Sequence, residues 1–185
     1  MTAGRGVEHL EEAAKGETVN LLQLWVNIPS KQKMSPSRYQ DLRKTDMPVI
    51  HENGTEIRLF SGSVGEQASD TLNIIPVTMA EINMEPDAIY KYELPASYNG
   101  FLYILEGEGS FGSDSTIGKQ GQVLWMGSAG TAERSEIKIE AHSSMRVMLY
   151  AGEPIRETVV ARGHFVMNTE QEIKQAYSDY RDGKF

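Results

Sequence analysis

Short apolar runs separated by turn residues fill the chain from residue 55 to residue 151, and this spacing constrains the fold more than any other feature. The predicted strands are residues 57–60, 72–84, 89–94, 101–105, 123–126, 137–139 and 145–150. Turn signals separate them at Asn53-Gly54, Gly107 to Gly109, Gly118 to Gly121 and Gly127 to Gly130. Short strands at this spacing are typical of antiparallel sandwiches and barrels. We therefore predict an all-β jelly-roll barrel.

The N-terminal part of the chain has its own strand pattern. Residues 20–28 alternate between two faces, and Leu22, Leu24, Val26 and Ile28 share one of them. A period of two predicts a strand that is buried on that face. Residues 29–48 are polar and contain three prolines, which indicates a linker between structural units.

The chain ends with a change of period. Thr169 and Glu172 form a capping box, which predicts the start of a helix. Apolar residues then follow at helical spacing: Ile173, Ala176, Tyr177 and Tyr180. Gly183 is placed to end the helix. The apolar stripe predicts that this helix packs against another part of the molecule.

Charge and composition exclude several function classes. The chain has 18 basic and 26 acidic residues, a formal charge of −8, and no block of Lys and Arg. This field repels phosphate, so we expect neither direct nucleic-acid binding nor membrane binding, but a small ligand or a protein partner. The absence of cysteine and of a long apolar stretch predicts a soluble, cytoplasmic protein, which in a eukaryotic cell could also be nuclear.

Gly107, Gly109 and Gly112 spell a glycine pattern that resembles a dinucleotide-binding fingerprint. That fingerprint requires a helix whose N-terminus faces the pyrophosphate. Residues 113–116 instead lead into another short strand pattern. We therefore predict a tight turn here and no nucleotide site.

One of the four histidines has a candidate metal partner at strand spacing. His9 and Glu11 are two residues apart, so on a strand both would project to the same side. Two more ligands from elsewhere would complete a non-haem iron site. A solvated surface pair is the alternative, and by pattern alone it is favoured. The other histidines are His51, His142 and His164.

The segment Tyr103 to Gly109 looks like the strand and turn that follow the metal-binding strand of a cupin. A metal-loaded cupin would carry histidines in the flanking stretches, but residues 90–95 and 121–130 contain none. We therefore expect this barrel to lack a histidine metal site. Glu93 and Glu106 are either acids in a pocket or exposed carboxylates, and the second interpretation is favoured.

Three segments of the chain resemble signatures of the pirin family, and they occur in the pirin order. These segments are residues 1–11, residues 23–29 with Tyr39-Gln40, and residues 152–155 with 163–169. The resemblance implies a double cupin whose N-terminal barrel holds one iron through three histidines and a glutamate, while the C-terminal barrel is usually empty. His9 and Glu11 match the last two of these ligands. We assign no catalytic residue and no organic cofactor.

The chain also departs from the pirin pattern. In pirins a His-x-His pair precedes the stretch with which this chain begins, and Leu10 replaces a small polar residue between the two matching ligands. We therefore expect a remnant of the N-terminal cupin and linker (1–45), a C-terminal cupin barrel (46–152), and a pirin signature with a helix (153–185). Either the sequence starts at an internal methionine of a longer frame, or the protein is a natural remnant.

The family resemblance implies two functions of different classes. One is iron-dependent 2,3-dioxygenation of the flavonol quercetin, which we expect to be impaired here because half of the metal site is missing. The other is a non-enzymatic, iron-linked regulatory role in which the fold binds a transcription factor or a metabolic enzyme. A sugar- or small-molecule-binding cupin is a third reading, based on fold analogy. We also expect self-association through residues 20–28.

Overall fold

The structure is a computed structural model of the 185-residue chain, and it describes residues 1–127 and 134–185. These residues form two compact units. The barrel unit is residues 41–154, and the terminal unit combines residues 1–40 with residues 155–185. The predicted domain bounds at 45/46 and 152/153 stay a prediction.

The barrel unit is built from antiparallel strands. Its described strands are β1 Val49–Glu52, β2 Thr55–Ser61, β3 Ser63–Val64, β4 Gln67–Ala68, β5 Val77–Met84, β6 Ile89–Pro95, β7 Asn99–Glu106, β8 Glu108–Phe111, β9 Thr116–Lys119, β10 Val123–Trp125, β11 Arg134–Ala141 and β12 Met145–Gly152. One sheet has the order β1-β2-β5-β12-β7-β10, and a second has the order β6-β11-β8-β9. Strands β3 and β4 form a separate small hairpin. The all-β prediction is confirmed.

The core lies between the two large sheets. It forms because buried and partly exposed side chains alternate along the long strands. Along β2, Ile57 and Leu59 are fully buried, while Glu56 and Arg58 point to the opposite, partly exposed face. The same alternation along the other long strands completes one continuous apolar cluster. This cluster includes tyrosines, among them Tyr92 at 1% exposed, whereas Trp125 is 78% exposed.

The predicted strands agree with the structure in the barrel, with local differences. Residues 72–84 were predicted as one strand, but β5 begins at Val77. Pro76 lacks an amide hydrogen, and hydroxyl groups upstream bond to the main chain instead: Ser69 and Thr71 both donate to the carbonyl of Phe60. The predicted turn at 127–130 falls mostly outside the described residues.

The glycine pattern at 107–112 forms turns, as predicted. Gly107 and Gly112 have φ angles of 77° and 73°, which favour glycine, and strands β8 and β9 follow. A side chain at Gly107 would also collide with the main chain at Ser144. Because no helix follows the pattern, the nucleotide-site reading is excluded here.

The strand predicted for residues 20–28 is wrong. Those residues form no helix, turn or strand, and apolar side chains from both predicted faces are exposed. The physical reason is that a strand requires a partner for its main-chain groups. Among the residues that the structure describes, none supplies that partner.

The C-terminal helix is present as predicted. Strands β13 Val160–Arg162 and β14 Phe165–Met167 form a hairpin, and helix α1 spans Glu170–Arg181. The Thr169 hydroxyl accepts from the Glu172 amide, and the Glu172 carboxylate accepts from the Asn168 amide. Gly183 follows the helix at φ 65°. No helix in the described part of the chain has both the length and the apolar character needed to span a membrane.

Helix α1 packs on the β13–β14 hairpin. Ile173 is 2% exposed, and the ring of Tyr177 stands edge-on to that of Phe165 with 4.9 Å between their centroids. The Tyr177 hydroxyl donates to the carbonyl of Arg162 at 3.3 Å. The apolar stripe seen in the sequence therefore has its packing surface within the terminal unit.

Candidate functional site

His9 and Glu11 lie side by side in the terminal unit. Nδ1 of His9 is 2.6 Å from Oε1 of Glu11, and the two side chains are 38% and 49% exposed. The segment that carries them is not a strand, contrary to the geometry used to predict the pair. The spacing of two residues nevertheless brings the imidazole and the carboxylate together.

Two glycines position the chain just before this pair. Gly4 has φ 55°, and its α-carbon faces the main-chain carbonyl of Ser35. Gly6 has φ 141° and lies so close to the ring of Phe185 that a β-carbon would overlap it. The amide of Arg5 donates to the Ser35 carbonyl at 2.9 Å. The segment entering His9 is therefore held by residues that are distant in the sequence.

The contact between the two side chains determines which nitrogen of His9 is available to bind a metal. A neutral imidazole with its hydrogen on Nδ1 donates to Oε1 of Glu11 and leaves the lone pair of Nε2 available. A carboxylate in this position fixes the tautomer and orientation of a ligating histidine. The arrangement is suited to binding a metal through Nε2.

The described residues do not fit a complete iron site. Within residues 1–127 and 134–185 there is no group of three or more His, Asp or Glu side chains placed to share a metal ion. His9 and Glu11 supply the expected donor types, but iron in non-haem sites takes at least three protein donors. Their assignment as metal ligands stays a prediction.

The other histidines lie away from this pair along the chain. His51 is on β1 opposite Glu56, and the amide of His142 donates to the carbonyl of Glu108. His164 occupies the turn between β13 and β14. Each is separated from the His9 segment by many residues, and none joins a described metal-binding group.

The interior of the barrel carries tyrosines where a metal-loaded cupin would carry histidines. Tyr90 and Tyr92 point inward from β6, and burial raises the pKa of both phenols. The hydroxyl of Tyr92 has no hydrogen-bond partner among the described residues. Both side chains therefore remain neutral phenols at physiological pH.

Glu93 and Glu106 are exposed carboxylates, as the favoured reading predicted. Glu93 is 63% exposed and pairs with Arg134 at 3.2 Å. Glu106 is 59% exposed and pairs with Arg146 at 2.9 Å. Neither acid is buried in the barrel.

A charge cluster around a buried glutamate of the larger sheet was missed by sequence reasoning. Glu81 is 5% exposed, and its carboxylate lies 2.8 Å from Lys44, 3.8 Å from Arg58 and 3.8 Å from Arg146. Glu81, Arg58 and Arg146 are distant in sequence and meet because β5, β2 and β12 are neighbours, whereas Lys44 lies in the segment before β1. The one sequence feature that could have indicated the cluster is the position of Glu81 among the apolar residues Met79, Ala80 and Ile82 of β5. Arg58 also pairs with Glu56 and Arg146 with Glu106, so three acids face three bases, which indicates a structural ion cluster.

An open cavity of about 620 Å³ lies at one end of the barrel. Its lining includes His51, Glu52, Thr55, Glu106 and Arg146. The Thr55 hydroxyl is buried, and the described residues offer it no hydrogen-bond partner. The cavity is lined by polar and apolar surface in equal measure and is open to solvent, unlike the enclosed and mostly apolar pockets that bind small molecules tightly.

Comparisons with known proteins agree with this architecture. The family model described as "Pirin C-terminal cupin domain" matches residues 79–185. A pirin-like protein of Solanum lycopersicum is 39% identical over 185 residues, covering 100% of this chain and 62% of the relative. The chain therefore spans about six-tenths of the length of that curated relative.

Two solved structures are similar to the chain. A crystal structure from Geobacillus kaustophilus is 50% identical with a TM-score of 0.71, covering 73% of this chain and 54% of that one. A quercetin 2,3-dioxygenase from Acinetobacter baumannii is 26% identical with a TM-score of 0.80, covering 87% and 55%. Because the family model matches more than half of the chain, and the cupin barrel and its C-terminal helix are both in place, the chain belongs to the pirin family.

Proposed function

We propose that this chain supplies His9 and Glu11 to the iron centre of a pirin-type quercetin 2,3-dioxygenase. The observation that carries the proposal is the 2.6 Å approach of their side chains. An imidazole and a carboxylate are donors expected at non-haem iron. The similar structure from Acinetobacter baumannii, which bears the name quercetin 2,3-dioxygenase, supports the reaction class.

The proposal includes a limit on the chain by itself. Two donors are too few to hold iron against water and buffer, so further ligands must join them. In the structure the Glu11 carboxylate contacts Nδ1 of His9 and leaves Nε2 available, so this contact must open for both side chains to bind one iron ion. We therefore expect the chain alone to be inactive toward quercetin.

The first experiment measures ferrous-ion binding by the purified chain under anaerobic conditions. We expect far less than one iron per chain after dialysis against a chelator. The remaining weak affinity should fall about tenfold or more in His9→Ala and in Glu11→Ala. His51→Ala is the matched control, because it removes another histidine that also lies opposite a glutamate. Stoichiometric, chelator-resistant iron in the unmodified chain would contradict the proposal.

The second experiment joins the chain to the N-terminal portion of a pirin relative. Iron should then bind at one per molecule, and quercetin consumption should follow iron content. His9→Ala or Glu11→Ala in this fusion should remove both. Full iron occupancy in either variant would show that the residue is not a ligand. Bound iron without quercetin turnover would contradict the dioxygenase and favour the iron-linked regulatory role.

A further inference from the structure

The segment that leads to His9 and Glu11 is anchored to the terminal unit by main-chain hydrogen bonds that end at Gly6. The amide of Thr2 donates to the carbonyl of Arg38 at 2.7 Å, and the amide of Gly6 donates to the carbonyl of Ala3 at 3.0 Å. Within the described part of the chain, residues 7–13 form no main-chain hydrogen bond. The ring of Phe185 lies against Gly6, where the anchored part of the segment ends.

Phe185 is itself held in place by the end of helix α1. Gly183 has φ 65°, and the amide of Lys184 donates to the carbonyl of Asp179 at 3.0 Å, so the chain turns back after the helix. The Lys184 ammonium lies 2.6 Å from the carboxylate of Asp179. The ring of Phe185 then stands edge-on to that of Phe165, with 6.0 Å between their centroids. Its position therefore follows from the helix and the hairpin on which the helix packs.

Gly6 has no side chain with which to fix the direction of the main chain. Its φ of 141° lies in a region that favours glycine, and glycine adopts a wide range of φ angles at little cost. The Phe185 ring occupies the space in which a β-carbon of Gly6 would lie. This rigid ring therefore limits the directions in which the chain can leave Gly6.

We propose that Phe185 is a positioning residue, which fixes the place of His9 and Glu11 by limiting the path of the main chain at Gly6. His9 follows Gly6 by three residues, a reach of at most about 11 Å, so a change of direction at Gly6 moves the imidazole by several ångströms. Because Glu11 follows two residues later, both side chains move together. The relevance of this placement to iron rests on the proposed function, whereas the placement itself does not.

Pulsed electron paramagnetic resonance between two spin labels tests the placement without iron. The chain has no cysteine, so Leu10→Cys and Lys174→Cys introduce two exposed labelling sites, one beside the pair and one on helix α1. We expect a narrow distance distribution in the labelled chain and one about twofold broader in Phe185→Ala, because Gly6 is then free to turn. Phe185→Tyr retains the ring and should restore the narrow distribution.

Tyr39→Ala is the matched control, since it removes an aromatic ring of the same unit that is 74% exposed. Far-UV circular dichroism checks that helix α1 is retained in each variant. A broad distribution in the labelled chain, an unchanged width in Phe185→Ala, or equal broadening in Tyr39→Ala would each overturn the proposal. So would a distribution in Phe185→Tyr as broad as that in Phe185→Ala.

The same labels test the contact from the side of Gly6. Gly6→Ala places a β-carbon against the Phe185 ring and should shift the mean distance by a few ångströms. Gly16→Ala is the control, because Gly16 also has a positive φ, 87°, but a β-carbon there would meet no atom within 4 Å. No shift in Gly6→Ala, or an equal shift in Gly16→Ala, would contradict the positioning role. Both results are independent of whether His9 and Glu11 bind iron, so the two proposals can fail separately.

Discussion

The barrel unit and the terminal unit achieve order in different ways. In the barrel unit, hydrogen-bonded ladders join neighbouring strands, and side chains such as Ile82 and Val147 are completely buried. In the terminal unit, Ile173 is the one apolar side chain of the described residues that is buried to this degree. The terminal unit is made of residues 1–40 and 155–185, and individual contacts, such as that between Gly6 and Phe185, join these two stretches. A cooperative core and a set of local contacts should respond differently to mutation.

The largest effect is expected in the barrel core. Ile82→Ala removes a fully buried side chain from the centre of β5 and should lower the free energy of unfolding by about 2–5 kcal/mol. Leu21→Ala, at a position that is 50% exposed, should change it by less than about 0.5 kcal/mol. Urea unfolding followed by far-UV circular dichroism measures both. Equal effects would mean that the two regions share one core.

An intermediate effect is expected where helix α1 packs on its hairpin. Tyr177→Asp places a charge against Phe165 and should cost about 1–3 kcal/mol. Tyr177→Phe keeps the ring contact and loses only the bond to the Arg162 carbonyl, so its cost should stay below about 1 kcal/mol. Unchanged thermal unfolding of the Asp variant would show that this packing contributes little to the terminal unit.

The smallest effect concerns a single carboxylate. The amide of Ser30 and the side chain of Asn168 donate to Glu157, and these bonds lower its pKa. A depressed pKa stabilises the folded state above the carboxyl group's unfolded pKa, and this contribution is lost as the pH falls through the folded pKa. Acidification should therefore lower the protection of the Ser30 amide against hydrogen exchange, measured relative to its intrinsic exchange rate at each pH.

Glu157→Gln should lower the protection factor of the Ser30 amide at neutral pH and remove most of the pH dependence of that protection factor, which is measured relative to the intrinsic exchange rate. Glu66→Gln, which changes an exposed glutamate of the barrel unit, is the control. If the Ser30 amide exchanges equally fast in the unmodified chain and in Glu157→Gln, the carboxylate does not hold residues 30 and 157 together.

The barrel could be predicted from the sequence because each long strand has its partners within the chain. The alternation of Ile57 and Leu59 with polar residues indicates a strand, and β5 supplies the neighbour. The same alternation at residues 20–28 led to a wrong prediction, since a pattern of side chains carries no information about a partner. Strand β8 was missed because glycine and serine replace apolar residues in it.

The candidate site was predictable to the extent that it is local. His9 and Glu11 are two residues apart, so spacing alone suggested that they meet. The contact of Gly6 with Phe185 joins the two ends of the chain. Glu81 on β5 pairs with Arg58, which lies on the neighbouring strand β2. Contacts of this kind depend on the fold, and no short sequence pattern signals them.

The exposure of both tryptophans has a spectroscopic consequence. Trp25 and Trp125 are 60% and 78% exposed, whereas Tyr90, Tyr92 and Tyr150 are buried. Tryptophan emission from this protein should therefore already resemble that of the indole in water, and it should change little when the barrel unfolds. Absorption of the buried tyrosines should report on the barrel instead.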